Sequence, residues 1–398
     1  MGNTKAIIVG AGIGGLAAAV SLRRVGIDVE VWEQAPELKA MGTGISVISN
    51  AVAALQLLGI DLGLGTIRGA VGETAEILNP KGQTIVTSRA SDIFKSQPDA
   101  KTVCIHRGDL QAGFLEVAKD TPIHLGAVAS NFERDGKGVR VKFKDGREAR
   151  GDILIGADGI HSVIRRQIHG ASPTRYGGFL CWLATVPFKH PRMTPGWSGQ
   201  YWGTGKRFGL HDIGQGRAYW WGTQTMPEHI ARNWKGGKRE LARAFEGWAP
   251  ETRELIEITP DADIVTVPSQ DRPFVERWGE GPVTLLGDAA HPMLTSLAQG
   301  GSSSIEDAVV LASTLATAPD PVRGLRQYED QRRERTRWMV ETSRKLGVVE
   351  QIENPLLVLL RTAFLKLTPK GKLWETFERA GTLPPINTAF TLRTAGEA

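Results

Sequence analysis

Apolar runs and amphipathic stretches alternate along the chain. Ala6 to Val9 are uninterruptedly apolar, as in a parallel strand buried on both faces. Gly10-Ala11-Gly12-Ile13-Gly14-Gly15 follows, then a helix over Leu16 to Val25 and a second strand over Asp28 to Trp32. Asp152 to Ile155 repeat the strand pattern and run into Gly156-Ala157-Asp158-Gly159, with a helix from about Ser162. Val283 to Leu286 do so again and run into Gly287-Asp288-Ala289-Ala290-His291-Pro292. Leu297-Ala298-Gln299-Gly300-Gly301 then opens a long helix through Ala308 and beyond. Polar loops of this kind, at the carboxyl ends of sheet strands, are where doubly wound folds bind ligands.

Between Gly170 and Arg277 the pattern changes to short Trp-, Phe- and Thr-rich runs punctuated by Gly and Pro, which predicts an antiparallel sheet. Its expected strands are Phe179 to Val186, Gly199 to Trp202, Lys206 to Asp212 and Arg217 to Gln224. Alternation puts Arg207, Gly209 and His211 on one face, and Tyr219, Trp221 and Thr223 together on one face of the next strand. Pro321 to Arg344 predicts a charged helix, and Asn354 to Leu367 an amphipathic one. The latter pattern fits packing across two domains or lying on a membrane surface. The residues from Asn387 onward read as a frayed tail.

Composition narrows the class. The chain has 398 residues, 41% hydrophobic and 23% charged, enough for two or three domains with a large core. Lys and Arg exceed Asp and Glu by only five, with no basic block of the kind a nucleic-acid binder carries. No apolar run is long enough to span a membrane. Two cysteines, Cys104 and Cys181, make no disulfide framework, and no motif predicts a metal site. A cytoplasmic, reducing compartment is expected, with a monomer or homodimer. Lys5 and the apolar stretch after it superficially resemble a secretory leader, but Gly10, Gly12, Gly14 and Gly15 are better explained by a strand, a turn and a helix.

That explanation carries chemistry. In G-x-G-x-x-G the glycines give a tight turn, close backbone approach to a pyrophosphate, and close helix–strand packing. The following helix offers unpaired N–H groups and its positive end to the phosphates. Glu33 closes the second strand, 18 residues after Gly15, where an acid bonds a ribose hydroxyl and disfavours a 2′-phosphate. Dinucleotide binding by FAD or NAD is the expectation.

GAGIGG with Glu33, Arg107 in HRGDL, GADGIHS at 156–162 and GDAAHP at 287–292 together resemble the single-component, group A flavin monooxygenases of the para-hydroxybenzoate hydroxylase type. Within that family the chain is most similar in look to urate hydroxylase, 6-hydroxynicotinate 3-monooxygenase and zeaxanthin epoxidase. The resemblance spans roughly residues 5–345. It implies an α/β (α+β) architecture: a Rossmann-like FAD-binding domain (1–169 and 278–345, with a small β excursion about 70–150), an inserted antiparallel substrate sheet (170–277), and C-terminal helices and tail (346–398). It implies FAD as cofactor, NADH or NADPH as transient reductant, and O2 activated as a flavin C4a-hydroperoxide to hydroxylate an aromatic or conjugated small molecule. The cofactor residues it implies are Gly10, Gly12, Ile13, Gly14, Gly15, Glu33, Gln34, Arg107, Asp158, Gly159, Asp288, Ala298, Gln299, Gly300 and Gly301. Glu33 would hold the adenosine ribose, Arg107 the pyrophosphate side, and Asp288 the ribityl or pyrophosphate region. Asp158 would serve both flavin and nicotinamide.

The GKR and GRxY patterns of the urate hydroxylase-like members read here Gly205-Lys206-Arg207 and Gly216-Arg217-Ala218-Tyr219. Arg207 is therefore the candidate substrate anchor, with His211 or Tyr219 to orient or deprotonate a phenol; the competing reading pairs Arg207 with an acid such as Asp212. One departure stands out. Where the family usually continues M-x-P-x-x-G-Q-G, this chain has Thr295 for the proline and Ala298 for a glycine. Thr295 thus joins the candidate catalytic positions, and epoxidation or Baeyer–Villiger oxygenation is the alternative on the same fold. A non-oxygenating flavin-binding redox protein is the alternative outside it.

Overall fold

The computed structural model describes residues 4–38, 43–95, 97, 99–136, 138–389 and 392. Lys5–Val9 lies near the middle of a five-stranded sheet, ordered Val283–Leu285, Ile153–Gly156, Lys5–Val9, Asp28–Trp32, Ile123–His124, all parallel. Its register sets the site. Val9 pairs with both Trp32 and Gly156, and Gly156 pairs with Leu285. The loops beginning at Gly10, Glu33, Ala157 and Leu286 therefore leave the sheet at one common edge. The central strands have no polar face: Ala6, Ile7, Ile8, Ile153, Leu154 and Ile155 are all fully buried. The Ile13–Arg24 and Gly300–Thr317 helices pack against this sheet and each other.

The second sheet has seven strands, in the order Val265–Asp271, Arg175–Pro187, Arg217–Thr225, Lys206–Asp212, Trp197–Trp202, Thr74–Leu78, Thr84–Arg89. The four strands read from sequence between residues 179 and 224 are all present. The two strands from 74 to 89 also join this sheet, the first of them parallel to Trp197–Trp202, although they fall within the stretch read as an excursion of the first domain. One sheet face buries Trp182, Trp220, Phe208 and Tyr201 against Phe245 and Leu255. The other face carries Arg207, His211, Tyr219 and Trp221.

The Pro321–Glu350 helix straps both sheets. Tyr328 donates to Leu285 O (3.1 Å) at one end, and Arg344 contacts Asp271 (3.1 Å) nearer the other. Pro355–Leu367 forms the expected helix, and a further helix follows at Lys370–Gly381 that sequence reading did not separate from its surroundings. In the tail, Ser313 Oγ donates to Asn387 O at 2.5 Å; residues 390, 391 and 393–398 lie outside the described residues.

Candidate active site

The common edge of the parallel sheet forms a cleft of about 430 Å³, lined by Ala11, Gly12, Ile13, Glu33, Arg107 and Gln111 among others. Glu33 is fixed by two backbone N–H groups, from Ala11 (2.6 Å) and Ala35 (2.8 Å). Arg107 opens the Arg107–Val117 helix and is exposed, with no carboxylate within 4 Å among the described residues. Gln34, the residue after Glu33, is exposed. Gln111, one helical turn beyond Arg107, was not singled out from sequence; it donates to Ala11 O (3.2 Å) and so ties this helix to the glycine loop.

The glycines separate into two groups according to what requires them. Gly10 has φ +108°, and a Cβ there would sit 2.4 Å from Ala157 O. A Cβ on Gly15 would sit 1.9 Å from Gly10 O, on Gly14 2.9 Å from Leu286, and on Gly301 2.6 Å from Ile45. Backbone packing demands Gly10 and Gly15, while at Gly14 and Gly301 the crowding atoms are side-chain ends. Gly12 is different: its φ of −70° suits any residue, and a Cβ there would meet nothing within 4 Å. Gly300 is similar, with Asp288 Oδ1 at 3.9 Å as nearest neighbour. Both glycines stand at helix N-termini that lack a side-chain cap and an acidic first turn. Nothing in the protein needs a glycine at either position, whereas a phosphate or flavin edge approaching the free N–H groups does. The residues therefore fit FAD, which the Gly12 and Gly300 helix ends, Glu33 and Arg107 would hold.

Other expected cofactor residues have internal employment. Asp158 accepts from Ser162 Oγ (2.5 Å) and from the N–H of Val163 (2.7 Å), capping the next helix. Burial pushes its carboxyl pKa up against those hydrogen bonds. Gly159 follows it with φ +76° and open space around it. Gln299 is buried and exchanges hydrogen bonds with Asn50 (3.2 Å), also donating to Ala380 O (3.1 Å). Its side chain is thus committed within the protein. Asp288, Thr295 and Ala298 are exposed. Ala298 takes the left-handed conformation (φ 52°, ψ 27°) that a glycine would adopt without strain, so the replacement costs backbone energy, about 1–2 kcal/mol.

Beneath this loop lies a charge network that is fully buried except at its Arg335 edge. His291 Nε2 is 2.6 Å from Asp307 Oδ2, which also accepts from Gly287 N (3.0 Å). Arg332 bonds Asp307 Oδ1 (2.6 Å) and Glu306, while Arg335 bonds Glu306 (2.8 Å) and carbonyls at the end of the Lys370–Gly381 helix. Two guanidiniums thus meet two carboxylates, and the GDAAHP loop hangs from them.

On the second sheet, register pairs Arg207 with Thr223, Gly209 with Trp221 and His211 with Tyr219, bringing all the named side chains to one face. Arg207 does not pair with Asp212, which accepts instead from the N–H groups of Gly196 (2.8 Å) and Gly214 (2.9 Å). Its partner is Glu350, at 2.8 Å, with both side chains only 4% exposed. The guanidinium lies over Trp221 (4.9 Å) and Trp202 (5.9 Å), and its Nε has no partner among the described residues. The other Glu350 oxygen accepts from Ser296 Oγ (2.6 Å), so the anchor is tied to the Thr295–Leu297 turn.

His211 uses both ring nitrogens. Trp221 Nε1–H can only donate, at 2.9 Å, so Nε2 accepts and Nδ1–H donates to Ser198 Oγ (3.0 Å). Burial lowers its pKa to about 4. The unfolded chain therefore takes up the proton first as pH falls. Stability is undiminished above about 6.5 and drops by up to about 3 kcal/mol toward pH 4. The stability advantage of wild type over His211→Gln is expected to shrink between about pH 7.5 and pH 5 in urea unfolding; a constant difference contradicts a buried neutral imidazole. Tyr219 stacks on His211 (5.7 Å between centroids) and fills the space beside Gly44. Burial raises its pKa, and its hydroxyl has no hydrogen bond among the described residues.

Comparisons with known proteins agree with this geometry. Residues 3–343 match the family model described as FAD binding domain. The chain is 36% identical over 370 residues to the aurachin C monooxygenase/isomerase of Stigmatella aurantiaca, covering 92% of this chain and 95% of that one. It is 34% identical over 344 residues to an FAD-dependent urate hydroxylase of Klebsiella pneumoniae, covering 86% and 89%. The crystal structure of Klebsiella pneumoniae HpxO complexed with FAD and uric acid superposes with a TM-score of 0.88 at 30% identity, over 96% of this chain and 97% of that one. The chain belongs to this FAD-binding-domain family, as a single-component, FAD-dependent aromatic monooxygenase that consumes NAD(P)H and O2.

Proposed function

We propose that the aromatic substrate is uncharged, flat and apolar, carrying an oxo or hydroxyl group as its one polar handle. The carrying observation is the buried Arg207–Glu350 pair. A lone buried guanidinium would select a carboxylate or other anion, but here the protein supplies the counter-charge itself. The neighbouring Arg361 turns to the carbonyls of Val349, Glu350 and Gly203, so its charge is offset by the negative end of the long helix. What remains for a ligand is the unpaired Arg207 Nε–H, the Tyr219 hydroxyl and the indole of Trp221. The likeness to the protein named for aurachin C is what the comparisons offer in support of the reading.

Bound FAD supplies the reduction by NAD(P)H and the activation of O2. The chain's own residues position and shield. Arg207 and Tyr219 orient the substrate oxygen, His211 holds Trp221 and Tyr219 in place as a positioning residue, and the Thr295–Leu297 turn is tied to the sheet through Ser296 and Glu350. The cytoplasm is the compartment that suits this role, with NAD(P)H at hand and two buried free cysteines.

Glu350→Gln tests the charge argument. Its kcat/KM ratio for carboxylated over neutral aromatic substrates is expected to rise at least about tenfold, because the substrate then supplies the missing anion (about 1.4 kcal/mol). An unchanged ratio removes Arg207 from substrate selection.

A further inference from the structure

The Pro355–Leu367 helix has its polarity inside out. Its one arginine, Arg361, is buried, while Leu356, Leu357, Leu359, Leu360, Phe364 and Leu367 are exposed, Leu359 to 65% and Leu367 to 82%. With 3.6 residues per turn these six share one face. Val348 and Val349, at the end of the preceding helix, are exposed as well. The orientation is enforced. Arg361 donates to the carbonyls of Val349 (3.1 Å), Glu350 (3.0 Å) and Gly203 (2.9 Å), and its guanidinium lies over Trp202 at 5.2 Å. Rotating the apolar face inward would break all four contacts.

Lysines gather at the C-terminal end of this face and outnumber the acids around it by four to three. Lys366 is exposed within the helix, and exposed Lys370 and Lys372 begin the next one. Lys95 lies against Gly371, its Nζ 3.3 Å from where a Cβ would be. Asp92 reaches Lys370 at 3.4 Å and also lies in the field of Lys95. Glu353 and Glu375 complete the exposed acids of the two helices and the linker before them.

We propose that this helix is an interfacial membrane anchor: its leucine face enters the headgroup boundary of an anionic bilayer while the lysines at its C-terminal end meet the lipid phosphates. A helix lying in the interface needs this combination of an apolar face and flanking cations, and needs no spanning length. No helix among the described residues is long and apolar enough to cross a membrane. The placement also connects with catalysis. Trp202, on which Arg361 rests, is the ring that Arg207 faces at 5.9 Å, and Gly205 N donates to Ile352 O (2.9 Å) in the linker before the helix. The anchor thus sits one layer of side chains outside the substrate wall, where a lipid-dissolved substrate reaches it without crossing water. The anchor itself stands independently of the substrate reading above.

The test is flotation of the FAD-loaded protein with vesicles of phosphatidylcholine and phosphatidylglycerol at about 3:1, and with phosphatidylcholine alone. Wild type is expected to float with the anionic vesicles and more weakly with the neutral ones. Leu360→Gln/Phe364→Gln should lose at least about tenfold in partitioning to both, and Lys366→Glu/Lys372→Glu to the anionic vesicles alone. Flavin absorbance and melting temperature confirm that the variants are folded, since all four side chains lie on the surface. Three outcomes overturn the proposal: no flotation of wild type, equal flotation of the leucine-face variant, or a dimer by light scattering that this variant converts to a monomer without any vesicle binding. The last would assign the face to a second copy of the chain.

Discussion

Asp307→Asn is expected to lower the unfolding free energy by about 3–5 kcal/mol and to release the flavin. Asp307 is fully buried and serves His291, Gly287 N and Arg332 together. The substitution keeps the volume but removes the negative charge, leaving two guanidiniums to share Glu306. Breaking one member of a buried ionic network costs more than the network contributes, because the remaining charge is desolvated and unpaired. For a protein stable by about 5–15 kcal/mol, that loss is a large fraction of the total. The consequence for function follows from position. Gly287 and His291 flank Asp288, so loosening them unsettles the loop opposite Gly300. Adding Arg332→Met should recover much of the loss, since it removes the stranded cation. Urea unfolding with the flavin content of each variant checks this; a single variant as stable as wild type would mean that the network is not what holds the loop.

Gly12→Val is expected to weaken FAD binding at least about 100-fold, or about 2.8 kcal/mol, while apoprotein stability stays within about 0.5 kcal/mol of wild type. The two halves come from the same observation. The backbone at Gly12 is ordinary, and the space beside it is free of protein atoms, so folding does not register the side chain. That space is the lining of the cleft, so the cofactor does register it. Gly15→Ala makes the contrast: its methyl would collide with Gly10 O, and this variant should fail to fold rather than fail to bind. Apoprotein melting and a fluorescence titration with FAD separate the two. A Gly12→Val protein that binds FAD normally would move the pyrophosphate elsewhere.

Much of the fold and of the cofactor cleft is written in local pattern. The strand–turn–helix from Ala6 to Arg24 and the acid at Glu33 are short-range features, and parallel register aligns their strand ends into one cleft, which Arg107 joins from a strand outside that sheet. The strand Lys206–Asp212 matches its expected bounds because its alternation is uninterrupted. Partners remote in sequence were not legible. Glu350 is 143 positions from Arg207, and nothing in strand periodicity says which helix end faces an arginine. The strands from 74 to 89 join the second sheet by a parallel pairing about 120 residues away, which local pattern cannot encode. Periodicity found the amphipathic Pro355–Leu367 helix but not which face turns outward, because that was decided by Arg361 and the carbonyls it reaches.

This chain transfers one atom of O2 to an aromatic substrate with FAD and NAD(P)H. The most direct test is mass spectrometry of the products formed under 18O2, with FAD-loaded protein, NADH or NADPH, and neutral hydroxy- and oxo-heteroaromatics. Substrate-stimulated nicotinamide oxidation and one 18O atom in the organic product are the expected result. Nicotinamide oxidation that yields peroxide alone across the panel, with no label in any substrate, would contradict it.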